Sequence, residues 1–146
     1  SSIFQYKMID FNYETEFTLE NEDAISNWIS NVIKSENKKE GDINYIFCDD
    51  EYLLEINQQY LDHDTLTDII SFDYCVGNEL HGDIFISIER VRENALDFEV
   101  KFEEELLRVM AHGVLHYCGY KDKLEDDEKL MRQKEEEKIK LFHVEQ

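Results

Sequence analysis

In the stretch HGVLHYCGYKD, residues 112–122, two histidines stand four residues apart and an aspartate follows ten residues after the first. An α-helix places positions i and i+4 on one face, so His112 and His116 can each aim a ring nitrogen at a common point. Gly119 tolerates the left-handed backbone that commonly ends helices, so the chain can turn back there and bring Asp122 towards the same point. Two imidazoles and a carboxylate suit a late first-row metal ion, and a catalytic zinc commonly combines three protein ligands with water in an open position. A lone histidine on a core-facing helix is more often a satisfied core group. The pair, its spacing and the carboxylate beyond a glycine stop point instead to a metal. The helical peptidase pattern HExxH needs a glutamate after the first histidine as general base. Gly113 fills that position, which disfavours a peptidase. An ion held there would still acidify a bound water and polarise a phosphoryl oxygen, although no side chain in the stretch identifies itself as a general base.

These groups need a long helix ending near Cys118 and a scaffold beneath it. The segment from Lys101 to Cys118 carries Phe102, Leu106, Val109 or Met110 and Gly113 along one side, so both histidines lie beside the core. Earlier in the chain, residues 3–11 read as a first strand, residues 21–36 as an amphipathic helix around Trp28, and residues 43–48 as a second strand. Asp49 or Asp50 caps a helix that runs to about Tyr60. Residues 67–74 and 82–88 read as two strands joined by an irregular hairpin. Helices follow over 89–98 and 101–118, with a last one from about Glu125 to Leu141. Four strands mixed with five helices predict one α+β domain over residues 1–146, with the metal site at the end of the long helix.

Composition sets the surroundings. A chain of 146 residues is long enough to bury a substantial core in one domain. Its uncharged apolar runs fall far short of the ~20 residues that span a bilayer, and the N-terminus lacks a basic region followed by a long apolar one. Cys48, Cys75 and Cys118 are widely separated and lack CxxC spacing, so no disulfide framework or zinc ribbon is expected. A soluble protein of the reducing cytoplasm, without membrane contact, is the simplest reading. Asp and Glu number 35 against 15 Lys and Arg, a net charge of −20, which disfavours tight nonspecific binding to RNA or DNA. The acidic runs at residues 16–24, 101–107 and 124–138 read as solvated faces.

The HGVLHYCGY pattern, together with "NQQYLDHDTLTDIISF" (residues 57–72) and "GDIFIS" (residues 82–87), resembles the YbeY family of single-strand-specific metallo-endoribonucleases, which act in ribosomal RNA maturation and ribosome quality control. The matched blocks cover roughly residues 43–125 in the family's order and spacing, against the family patterns H-G-x-L-H-x-x-G-Y-D-H, N-x-x-Y-R and T-D-V-L-S-F. The resemblance implies a metal bound by His112, His116 and the residue at 122. It also implies a substrate cleft beside the metal that includes Thr67, Asp68 and Ser71, whose alternative role is hydrogen bonding at a strand end. Partners would be ribosomal RNA or ribosomal particles, with ribosome-associated proteins and without DNA.

Three departures change the expectations. The family's third histidine is Asp122 here, preceded by Lys121 where an aspartate is usual. Two neutral imidazoles and one anion leave a divalent site at plus one, so a bound water is less acidified than with three histidines. The carboxylate also moves preference from zinc towards manganese or nickel. Asp122 could alternatively cap the last helix and leave the site weak. The family's arginine is Leu61, which removes a bidentate phosphate donor, and Lys121, Lys123 or His63 would have to supply positive charge. The family's proline is Leu66, a change in loop rigidity. His81 is a weak rival third ligand and His143 reads as a surface residue. RNA binding by so acidic a chain requires segregated charge, with a neutral or positive cleft around Lys121 and Lys123. The expected activity is therefore that of a metal-dependent endoribonuclease, with a ribosome-assembly factor carrying a structural or vestigial metal site as the alternative.

Overall fold

A computed structural model describes residues 8–61 and 67–144. Four strands and five helices follow one another along these residues: β1 (Ile9–Tyr13), α1 (Glu22–Ser35), β2 (Lys39–Cys48), α2 (Asp50–Leu61), β3 (Ile69–Asp73), β4 (Glu79–Ser87), α3 (Ile88–Asp97), α4 (Phe102–Tyr117) and α5 (Glu125–Val144). The strand order is β1-β2-β4-β3. β1 and β4 both run parallel to β2, and β3 adds antiparallel at the edge of β4. The fold is therefore α+β with a mixed sheet, as the pattern of segments predicts.

Period-two alternation decides what each strand buries. Ile43, Tyr45 and Phe47 of β2, with Ile84 and Ile86 of β4, join the main core beside Ile29, Val32 and Met110 of the covering helices. The Tyr45 hydroxyl is carried inside with them and donates to the Met110 carbonyl at 2.9 Å, which satisfies it and pins α4 to the sheet. The opposite face is covered by α2, where Leu53 and Ile56 pack with Ile70. Asp49 caps that helix, its carboxylate accepting from Tyr52 N at 2.8 Å.

Differences from the expected boundaries have local causes. The first strand is seen over Ile9–Tyr13, and residues 3–7 of the expected segment lie outside the described residues. β2 starts at Lys39 because its pairing with β4 continues through an irregularity between Glu40 and Ile43. The β3–β4 connection is shorter than expected, since Gly77 takes φ 61° and Val76 pairs with Glu79 in a tight turn. No helix among the described residues is long and apolar enough to cross a membrane.

Two glycines set how closely α4 lies on the sheet. A Cβ at Gly113 would stand 3.0 Å from Ile84 Cδ1 and 3.1 Å from Ile69 Cδ1, so this turn of the helix sits directly over β3 and β4. The same closeness leaves no room for the glutamate of HExxH. At Gly82 a Cβ would collide with the Tyr117 hydroxyl and the Phe72 carbonyl, which are themselves hydrogen-bonded at 2.8 Å. Gly82→Ala should therefore cost roughly 1–3 kcal/mol of stability as an overpacked core site. Urea unfolding against the parent measures this, and an unchanged midpoint would show that Tyr117 moves aside freely.

Candidate metal centre

The last two turns of α4 carry His112 and His116, and the residues after Gly119 return Asp122 to them. Gly119 takes φ 105°, and the Tyr120 N–H donates back to the Leu115 carbonyl at 3.1 Å, closing the helix and reversing the chain. His112 Nε2 and His116 Nε2 stand 2.9 Å apart. Asp122 Oδ2 lies 3.1 Å from the first and 3.3 Å from the second. Among the described residues this is the cluster of three ligand-type side chains close enough to share one ion. Asp122 therefore turns to the imidazoles instead of capping α5.

The other ring nitrogens are already committed. His112 Nδ1 is 2.6 Å from Glu135 Oε2 on α5, and His116 Nδ1 is 2.9 Å from the Tyr120 carbonyl. A carbonyl only accepts, and an ionised carboxylate only accepts, so both Nδ1 atoms donate, and in the neutral rings that a metal ion requires both Nε2 atoms present lone pairs. Two lone pairs and a carboxylate oxygen converging within 3.3 Å repel one another unless a proton or a metal ion is shared among them. A tetrahedral ion with bonds of about 2.0–2.1 Å separates its ligand atoms by about 3.3 Å. An octahedral ion with bonds of about 2.1 Å separates neighbouring ligands by about 3.0 Å. The observed triangle fits either, so the residues suit one divalent ion and leave its identity open.

Glu135 is a functional group that the sequence reading missed. It lies in the charged run read as solvated surface, yet it is buried, on the inner face of α5 with Met131, Lys138 and Ile139. Burial opposes a charge on His112, but the Glu135 hydrogen bond and charge outweigh it and raise the imidazole pKa. Arg108 holds Glu135 in place from 3.5 Å while reaching Glu136 at 2.7 Å and Glu105 at 3.5 Å. That arginine is committed to carboxylates, so its charge is spent within the protein.

The cleft around the ligands divides in two. On the α5 side, a cavity of about 430 Å³ is lined by Thr67, Asp68 and Ser71 together with both histidines and Asp122. On the α2 side, a groove of about 520 Å³ shares His116, Asp122, Thr67 and Ser71 and adds Asn57, Leu61 and Lys123. Thr67 also bonds the Ile69 carbonyl at 3.3 Å, the strand-end role foreseen for it. Leu61 faces the groove, whereas Lys121 is exposed and Lys123 takes the lining position instead. His63 and Leu66 lie outside the described residues. His81 is not a rival ligand: it sits towards the start of β4, with Nε2 2.7 Å from Glu79 and Nδ1 accepting from Asp42 N at 2.9 Å.

The expected neutral or positive cleft is not observed. Asp68, Glu105, Asp122, Glu128 and Glu135 line the cavity on the α5 side against Arg108 and Arg132. Burial raises the pKa of Asp68 and of Glu105 from their ordinary values. A divalent ion at the triad would offset part of the negative excess. Glu105, Glu128 and Glu135 come from two runs that look like solvated surface in sequence, and packing brings them to the cavity.

Zinc uptake by the purified protein should be about one ion per chain, and His116→Ala should lose it under conditions where the parent retains it. Glu135→Gln should weaken zinc binding by roughly ten- to a hundredfold, because it removes the anionic acceptor behind His112. Competition with a chromophoric chelator measures both, and full retention by His116→Ala would refute the ligand set.

The sequence pattern of the family described as Endoribonuclease YbeY matches residues 9–143. The chain is 73% identical over 139 residues to the Endoribonuclease YbeY of Flavobacterium psychrophilum, covering 95% of this chain and 99% of that protein. It is 71% identical to that of Flavobacterium johnsoniae, covering 95% and 100%. A Thermotoga maritima protein known from a solution structure shares the fold with a TM-score of 0.69 and 29% identity, over 94% of this chain and 91% of that one. With its sequence matched almost end to end and its histidine pair and carboxylate gathered at one point, the chain belongs to the Endoribonuclease YbeY family.

Proposed function

We infer that this protein is a metal-dependent endoribonuclease that cuts single-stranded RNA and acts on ribosomal RNA during maturation and quality control of ribosomes in the cytoplasm. The observation that carries the reading is the convergence of His112 Nε2, His116 Nε2 and Asp122 Oδ2 in a chain of this family. A divalent ion there, zinc first with manganese or nickel as alternatives, would supply Lewis acidity towards a phosphodiester. The side chains around it do the rest. His112 and His116 are held in one tautomer by Glu135 and Tyr120, so the ligand geometry is set before substrate arrives. Thr67 and Ser71 line both halves of the cleft, Ser71 with a hydroxyl that can donate and Thr67, whose proton goes to the Ile69 carbonyl, with an oxygen that can accept. Lys123 on one side and Arg132 on the other line the cleft and are the cations placed to meet a phosphate flanking the cut.

The acid-rich lining favours a second reading, a ribosome-assembly factor whose metal organises a docking surface. Leu61 has the same implication, since it places an apolar side chain, 43% exposed, where the family pattern carries a phosphate-binding arginine. The two readings differ in turnover. If the chain is the nuclease, it cleaves single-stranded RNA in a way that a chelator abolishes and zinc or manganese restores, with His112→Ala inactive. Leu61→Arg should then raise the rate about tenfold or more at matched metal occupancy, equivalent to recovering at least ~1.4 kcal/mol in the transition state. Metal-loaded protein that cleaves no RNA yet binds ribosomal particles would establish the assembly factor. Parent activity already high and unmoved by Leu61→Arg would show that the groove holds phosphate by other groups.

A further inference from the structure

Lys138 is the most deeply buried charge among the described residues, with 1% of its side chain exposed. Its ammonium has three partners: Glu36 Oε2 at 2.7 Å, Glu137 Oε2 at 2.8 Å and Ser35 Oγ at 2.9 Å. Stability alone does not account for it, because an apolar side chain in such a place is often as good as a buried ion pair or better. What the ammonium does that a leucine would not is hold the Glu36 carboxylate charged at the end of α1. Burial works against that charge, and the hydrogen bonds from Lys138 and Tyr120 prevail, bringing the Glu36 pKa below its ordinary value.

The other oxygen of Glu36 accepts from the Tyr120 hydroxyl at 2.7 Å. Lys134 adds to the same cluster, 3.6 Å from Glu36 and 5.7 Å from the centre of the Tyr120 ring. Tyr120 is therefore fixed at both ends, by its backbone N–H on the Leu115 carbonyl and by its hydroxyl on Glu36. Between those anchors lies the carbonyl that accepts from His116 Nδ1, and two residues further on is Asp122.

Building on the metal-centre reading, we propose that Lys138, Glu36 and Tyr120 are positioning residues for the His116 half of that centre. They hold the Tyr120 carbonyl in place, select the His116 tautomer with a free Nε2, and fix the path of the chain to Asp122. The arrangement runs separately from the Glu135 contact that serves His112, so α5 steadies each imidazole through a different set of groups. A partial loss of one arm leaves the other intact.

Tyr120→Phe removes only the hydroxyl and keeps the ring, the backbone and the carbonyl. It should lower zinc affinity by roughly tenfold or more, within the range for groups that orient metal ligands. In the metal-free protein under mildly alkaline conditions, nitrogen NMR of the histidine rings should show His116 passing from the Nδ1–H form to a mixture of tautomers, with His112 unchanged. Glu36→Gln keeps an oxygen acceptor for Tyr120 and should stay nearer the parent, whereas Glu36→Ala should behave like Tyr120→Phe. Lys138→Met should show the same loss where it folds, and Tyr120→Phe decides the matter where it does not. Parental zinc affinity in Tyr120→Phe together with an unchanged His116 tautomer would overturn the proposal and leave the metal centre standing. If the parent itself takes up no zinc, the metal reading fails instead, and the tautomer measurement on the metal-free protein still decides the positioning role.

Discussion

Three electron-rich atoms are held within 3.3 Å of one another, and much of the rest of the structure serves that constraint. Neutral imidazole nitrogens and a carboxylate oxygen gather in this way only around a shared proton or metal ion, because their lone pairs repel. The gathering persists because each group is tied from behind. Glu135 and the Tyr120 carbonyl take the two Nδ1 protons, and the turn at Gly119 returns Asp122 to the helix. A site built so rigidly exchanges the cost of mutual repulsion for a ready cation-binding geometry.

The scaffold contributes by closeness and by buried charge. Gly113 and Gly82 let α4 lie tightly on β3 and β4, which puts the histidines at the rim where Thr67 and Ser71 emerge from the sheet. α5 packs Met131 and Ile139 into the interior and carries Glu135 and Lys138 with them. Each of these buried charges has its partners: Glu135 meets His112 and Arg108, and Lys138 meets Glu36, Glu137 and Ser35. The same helix thus completes the core and supports the metal ligands, which couples the precision of the site to the stability of the fold.

The elements and the convergence of His112, His116 and Asp122 were legible in the sequence because both depend on spacing. Period-two and three-and-four patterns give the strands and helices, and positions 112, 116 and 122 give the triad through one helix and one glycine turn. What sequence did not disclose were contacts between distant segments. Glu135 and Lys138 lie in a highly charged run, and only the packing of α5 reveals which charges point inward. Tyr120 and Glu36 are 84 residues apart, and their hydrogen bond has no local signature. The exchange of Lys121 for Lys123 in the groove follows from the direction of the chain after Gly119, a detail that spacing alone does not fix.

X-ray absorption at the zinc edge of protein loaded with one equivalent of zinc tests the centre most directly, since it reads the ligand atoms themselves. The account predicts a first shell of nitrogen and oxygen at about 2.0–2.1 Å with the multiple-scattering signature of two imidazoles, reduced to one imidazole in His116→Ala. A sulfur shell at about 2.3 Å, or fewer than two imidazoles in the parent, would place the ion elsewhere and contradict the assignment of His112, His116 and Asp122.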